Sequence, residues 1–264
     1  MFYIAVMLCF SLASHVDIGA LAVPAVEEGL PEAGKRVRVY LSRYPGAYYV
    51  LFLPYNFTGT SMLPLIFESP GNFFEESLCG LPEGACLGYG LTRGMDYIWV
   101  SVPFVDDNGL ILEKYWGENP LSTVNFWLAV LADLNMKFRV DRGKVVLAGF
   151  SRGAVSTIYI GNYNSIISSK WSAYFAHAHF DGCCQTVLGN TNERIKRIKD
   201  NKVLITVGGD DPAKQCSKEA YEKLIEKGYS ATYLEIPNLG HSPAWILEES
   251  EAADEARSWL KSLL

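Results

Sequence analysis

The chain has 264 residues, 49% hydrophobic and 20% charged, which suits a packed globular core and excludes a disordered chain. A formal net charge of −6 leaves no basic footprint for a phosphate backbone, so nucleic acid is excluded as a partner class. At this length a single α/β domain is the expected organisation.

Residues 1–22 read differently from the rest. Met1 to Val16 is almost wholly apolar, the length of a signal-peptide core and short of the ~20 residues that span a bilayer. Ala20 and Ala22 stand at the two positions a signal peptidase reads, so cleavage is expected after Ala22, leaving residues 23–264 as one domain. No later run is long enough to cross a membrane, and the protein is expected to be secreted without membrane insertion. In that oxidising compartment Cys79 and Cys86 are expected to close a short disulfide loop, and Cys183 or Cys184 to pair with Cys216.

Val37–Leu41 and Tyr48–Leu53 read as a hairpin turning at Pro45-Gly46, followed by buried strands at Pro64–Glu68 and Tyr97–Val102. Leu121–Lys137 carries apolar residues at helical spacing. Lys144–Gly149 is a short apolar strand, and Ala154–Ile160 is helical. Trp171–His179 is strand-like and Asn192–Lys199 helical, with a buried strand at Val203–Val207. Lys214–Lys227 is helical, Thr232–Ile236 a strand, and Pro243–Leu264 a long amphipathic helix. Strands alternating with helices predict a mostly parallel central sheet with helices on both faces, opened by an antiparallel hairpin.

Gly149-Phe150-Ser151-Arg152-Gly153 fits G-x-S-x-G, with an apolar strand before it and a helical segment after it. So sharp a reversal lifts the serine hydroxyl out at the strand's end, over a helix N-terminus whose N–H groups face a developing oxyanion. Gly90-Leu91-Thr92-Arg93-Gly94 mimics the spacing with threonine, but its strand follows instead of preceding, so it is rejected as a nucleophile site.

A serine nucleophile needs a base, and the base an orienting acid. His241 lies in the turn-rich Asn238-Leu-Gly-His-Ser-Pro243, directly after a strand. Asp210 and Asp211 follow the Val203–Val207 strand through Gly208-Gly209. The order Ser151, Asp, His241, each just past a strand end, resembles the α/β-hydrolases from about Val37 to the C-terminus. The closest resemblance is to compact secreted serine esterases of the dienelactone-hydrolase and depolymerase-like branches. It implies the α/β-hydrolase fold, no large cap domain and a Ser151–His241–Asp211 triad. Asp211 fits the family's G-x-x-D pattern, yet Asp211-Pro212 is also a helix N-cap pair, which keeps Asp210 as the alternative acid. The same resemblance implies an oxyanion hole built from the N–H of Arg152 and that of Gly71 or Asn72, in Ser69-Pro-Gly-Asn72 after the Pro64–Glu68 strand. That loop departs from the family's His-Gly type.

His177, His179 and Asp181 alternate along an extended segment and would share one face. They read as a pocket wall, as metal ligands, or as a hydrogen-bonded structural pair of histidines. The pocket wall is preferred, giving His179, Asp181 and Phe150 as substrate-binding residues and no metal; Asp181 is a further candidate for the acid. Phe73, Phe74 and Trp116 join Phe150 as candidate pocket aromatics. The expected activity is cleavage of a small-molecule or polymeric carboxylic ester through an acyl-enzyme, with no cofactor. The alternatives are a serine peptidase of the prolyl-oligopeptidase type, or a catalytically silent α/β-hydrolase acting as a binding protein.

Overall fold

The structure, a computed structural model, describes residues 20–72, 78–181 and 189–264. Residues 1–19 of the expected leader, Phe73, Phe74, Cys183 and Cys184 lie outside them. Strands β1 (Val26–Glu27), β2 (Arg36–Leu41), β3 (Tyr44–Phe52) and β4 (Leu63–Ser69) are followed by α1 (Leu87–Thr92) and β5 (Ile98–Ser101). A short hairpin, β6 (Phe104–Val105) and β7 (Ile111–Leu112), precedes α2 (Pro120–Lys137), β8 (Val140–Phe150) and α3 (Arg152–Tyr159). The chain continues through α4 (Ser165–Ser168), β9 (Ala173–His177), α5 (Thr191–Ile195) and β10 (Lys202–Gly208). It closes with α6 (Lys214–Glu226), β11 (Ala231–Ile236) and α7 (Glu251–Lys261).

Among the described residues the central sheet has nine strands in the order β1-β2-β3-β5-β4-β8-β9-β10-β11. It is parallel except at β2–β3 and β3–β5. Side-chain alternation sends neighbouring residues of each central strand into separate cores. Leu65, Phe67, Val145, Leu147, Val203 and Ile205 pack under α2, α3 and α6. Ile66, Val146, Ala148 and Leu204 pack on the other face with α1 and α7. Both faces of the sheet are therefore covered, which explains why β4, β8 and β10 read as unbroken apolar runs.

Four expectations need correction. The first hairpin turns at Ser42-Arg43, and Pro45-Gly46 lies inside β3, where the register shifts between Tyr40 and Leu41. A bulge accommodates a proline that a regular ladder would not. The C-terminal helix is broken: a short 3-10 turn spans Ala244–Leu247, and Ser250 starts α7 by accepting a hydrogen bond from Ala253 N at 3.3 Å. Cys86 is a buried free thiol, so the expected Cys79–Cys86 bridge does not form. Its Sγ lies 3.6 Å from Pro243 O, and burial pushes its pKa up. Finally, β9 stops at His177, because Ala178 adopts φ +60. That left-handed residue ends the alternation on which a shared face for residues 177, 179 and 181 depended.

Candidate active site

Gly149 and Gly153 have no room for side chains. A Cβ on Gly149 would stand 2.3 Å from Gly153 C, and one on Gly153 would stand 2.2 Å from Ser69 O. The glycines thus let β8, α3 and the end of β4 converge on one point. Ser151 sits at that point with φ 54 and ψ −115, conformational strain that the surrounding packing holds in place. Its N–H donates to His177 O at 2.9 Å, tying the elbow to the end of β9.

The acidic and histidine loops meet by a second close approach. A Cβ on Gly208 would lie 2.1 Å from Leu239 O, and Asp210 N donates to that carbonyl at 2.9 Å. Asp211 is 4% exposed, whereas Asp210 is exposed. One Asp211 carboxylate oxygen accepts from Ala213 N at 2.7 Å, and the other from His241 Nδ1 at 2.8 Å. The N-cap of α6 is Ala213, so the expected Asp211-Pro212 cap does not form; one Asp211 oxygen closes a turn on Ala213 N and the other faces His241. His241 packs against Phe150, with ring centroids 4.7 Å apart. Its Nε2 is buried and makes no hydrogen bond among the described residues. With Nδ1–H held by a carboxylate, the neutral ring presents a lone pair at Nε2 beside the residue that precedes Ser151.

On the other flank, Ser69 Oγ lies within hydrogen-bond distance of Ala148 O, Gly153 O and Ser156 Oγ, fastening the end of β4 to the elbow. A Cβ on Gly71 would stand 3.2 Å from Phe150 Cδ1, so the loop backbone lies close over the residue before the serine. Asn72 Oδ1 accepts from Tyr115 N at 2.9 Å. The Arg152 side chain is buried, and desolvation brings its pKa down to about 9, which leaves it cationic at neutral pH.

His177, His179 and Asp181 take separate partners. His177 Nε2 lies 2.8 Å from Ser242 O and accepts from Trp245 Nε1 at 3.1 Å, and its Nδ1 lies 2.9 Å from Thr206 Oγ1. Burial lowers its pKa to about 4, so this ring is neutral. His179 accepts from Phe180 N at 3.2 Å, and burial, then charge on His241, lowers its pKa as well. Asp181 is bound by Arg194 Nε at 2.9 Å and by Thr191 Oγ1 at 3.3 Å. Among the described residues there is no group of three His, Cys, Asp or Glu that could hold a metal ion. Trp116 packs on Tyr159 at 5.3 Å between centroids. Sequence reasoning did not foresee Thr206 and Ser242 as partners of His177, or Tyr115 as a partner of Asn72, because no motif marks them.

A groove of about 610 Å³ lies elsewhere, lined by Leu65, Leu131, Val140, Val145 and Ile166 near the opposite ends of β4 and β8. It is remote from the elbow and belongs to the far end of the sheet. No helix among the described residues is long and apolar enough to cross a membrane.

The chain matches no protein-family model and no curated protein. Among solved structures, a thermostable esterase is similar with a TM-score of 0.59 and 17% identity, over 86% of this chain and 62% of that one. A ferulic acid esterase gives a TM-score of 0.59 and 16% identity, over 86% and 96% of the two chains. Dipeptidyl peptidase 4 of Porphyromonas gingivalis gives 0.59 and 12%, over 87% of this chain and 35% of its own. The chain thus spans less than two thirds of the first structure and about a third of the peptidase. At these identities the likeness is one of fold: the chain has the α/β-hydrolase fold.

Proposed function

We propose that the protein is a serine hydrolase acting on carboxylic esters, with Ser151 as nucleophile, His241 as general base and Asp211 as the orienting acid. The observation that carries this reading is the buried Nε2 of His241, without a hydrogen-bond partner among the described residues, on a ring held by Asp211 on one side and packed against Phe150 at the strained elbow. In the reaction, Ser151 Oγ bonds to the acyl carbon as Nε2 takes its proton, and the carbonyl oxygen becomes an oxyanion. The N–H groups of Arg152 and of Gly71 or Asn72 receive that charge. Collapse expels the alcohol, protonated by His241, and water repeats the cycle on the acyl-enzyme. His179 and Phe150 border the substrate. Asp181 acts one step removed, because its carboxylate is engaged by Arg194.

Export is part of the proposal. The leader through Ala22 is removed, and Cys79 and Cys216 each belong to a disulfide, as an oxidising compartment allows. The ferulic acid esterase among the similar structures puts aromatic acyl esters first in a substrate panel. The test is that panel, with p-nitrophenyl esters of increasing acyl length, methyl ferulate and a dipeptidyl anilide, run on wild type and Ser151→Ala. Ester turnover by wild type alone is expected. Wild-type-like turnover by Ser151→Ala would overturn the mechanism, and cleavage of the anilide alone would make the protein a peptidase.

A further inference from the structure

The residue after the nucleophile carries more than a backbone N–H. Arg152 is 2% exposed, and its guanidinium lies over the face of Phe104, 4.2 Å from the ring centroid. Among the described residues no carboxylate lies within salt-bridge distance of it. Its hydrogen bonds go to backbone carbonyls instead: Nη1 donates to Leu112 O at 3.1 Å and Tyr115 O at 2.5 Å, and Nη2 to Gly80 O at 3.3 Å. These carbonyls belong to two segments 37 to 72 residues away in the chain, both bordering the loop that carries Gly71 and Asn72. Tyr115 answers from the other side. Its carbonyl receives Arg152, while its own N–H donates to Asn72 Oδ1 at 2.9 Å.

We infer that Arg152 and Tyr115 form a clasp that sets the spacing of the two halves of the oxyanion hole. The path runs from the Arg152 guanidinium through the Tyr115 peptide groups to Asn72, and so joins the donor beside Ser151 to the donor loop after β4. This rests on the serine-hydrolase reading. A planar fork with donors at several fixed angles can hold carbonyls of separate segments at once, which a point charge on a flexible stem does less well. Burying a cation without a carboxylate is costly, and an apolar residue would pack the same space with less desolvation. The arrangement makes sense where geometry matters more than stability. Tyr115 carries the corresponding strain, with φ +56 at a residue that is not glycine. Arg152 and Tyr115 are positioning residues in this scheme, because the guanidinium acts through the backbone it holds. Donors misplaced by a few tenths of an ångström lose transition-state stabilisation while ground-state binding is spared.

The experiment compares wild type, Arg152→Lys, Arg152→Met, Asn72→Ala and the double variant Arg152→Met/Asn72→Ala. It uses p-nitrophenyl acetate, a trifluoromethyl ketone as transition-state analogue and a fluorophosphonate as Ser151 label. For Arg152→Met, kcat should fall about 10- to 100-fold with KM within about twofold, and affinity for the ketone should fall by the same factor. Arg152→Lys should recover part of the loss. Asn72→Ala alters the clasp at a half-buried loop position and serves if Arg152→Met does not fold. Its effect should largely disappear in the Arg152→Met background, because both changes open one clasp. A lowered melting temperature with unchanged kcat and ketone affinity would overturn the clasp, as would losses in the two single variants that simply multiply. Failure of the fluorophosphonate to label wild type at Ser151 would instead overturn the serine-hydrolase reading, and the clasp with it.

Discussion

The two flanks of Ser151 are built by different means. On the Asp211–His241 flank, short loops at the ends of adjacent parallel strands, β10 and β11, bring the groups together over 30 residues of chain. On the other flank, the proposed oxyanion side, Asn72, Gly80 and Leu112–Tyr115 are held through Arg152 and Tyr115 by contacts that no regular element predicts. The first flank is set by sheet register and glycine packing, the second by one buried cation and its hydrogen bonds. Changes on the first flank should therefore remove function outright. Changes on the second should grade it.

The largest expected effect separates two neighbouring acids on the first flank. Asp211→Asn should lower kcat about 10⁴-fold by favouring the wrong imidazole tautomer, whereas Asp210→Asn should stay close to wild type. The reverse ranking in steady-state ester kinetics would move the acid to Asp210.

Packing on the same flank comes next. In Gly208→Ala the new Cβ would meet Leu239 O at 2.1 Å, so the acidic and histidine loops must separate. A loss of about 2–4 kcal/mol in urea unfolding is expected, together with reduced kcat. A variant with wild-type stability and turnover would show that the close approach does not position His241.

A smaller effect should appear in the pH dependence of stability. His177 has its pKa lowered from 6.5 to about 4 by burial, so between these values the unfolded chain binds a proton that the folded chain does not. Stability is then full above about pH 6.5 and falls as pH drops towards 4, by roughly 1.4 kcal/mol per unit and about 3 kcal/mol in total. His177→Gln, which puts an amide beside Ser242 O, should flatten this slope in denaturation curves taken from pH 7 to 4. An unchanged slope would assign the acid sensitivity to other groups, such as His179, whose pKa burial also lowers.

How much of this was legible in the sequence follows the same division. The strand-glycine-serine-glycine-helix text around Ser151 is local, as are Gly208-Gly209-Asp210-Asp211 and the loop at His241, and each sits where the reading placed it along the chain. The end of β9 was not legible, because whether Ala178 continues a strand or turns left-handed depends on partners such as Thr206 O, which accepts its N–H at 2.8 Å. The break before α7 was legible in principle. Ser250 is a favoured N-cap residue with Glu251 and Asp254 in the turn that follows, a start signal masked by the continuous amphipathic pattern. Cys86 misled because sequence proximity to Cys79 suggested a bridge, while the fold gives its N–H to the buried Glu68 carboxylate at the start of α1. Arg152 was read only for its backbone, since nothing in one dimension says that its guanidinium reaches Gly80, Leu112 and Tyr115.

The central claim is that Ser151 is an activated nucleophile because His241 Nε2 stands ready to take its proton. It is tested most directly by treating the intact protein with a fluorophosphonate and mapping the adduct by peptide mass spectrometry. One stoichiometric adduct on Ser151 is predicted, strongly slowed in His241→Ala and absent in Ser151→Ala. Labelling at another residue, or labelling of Ser151 at the same rate without His241, would contradict it.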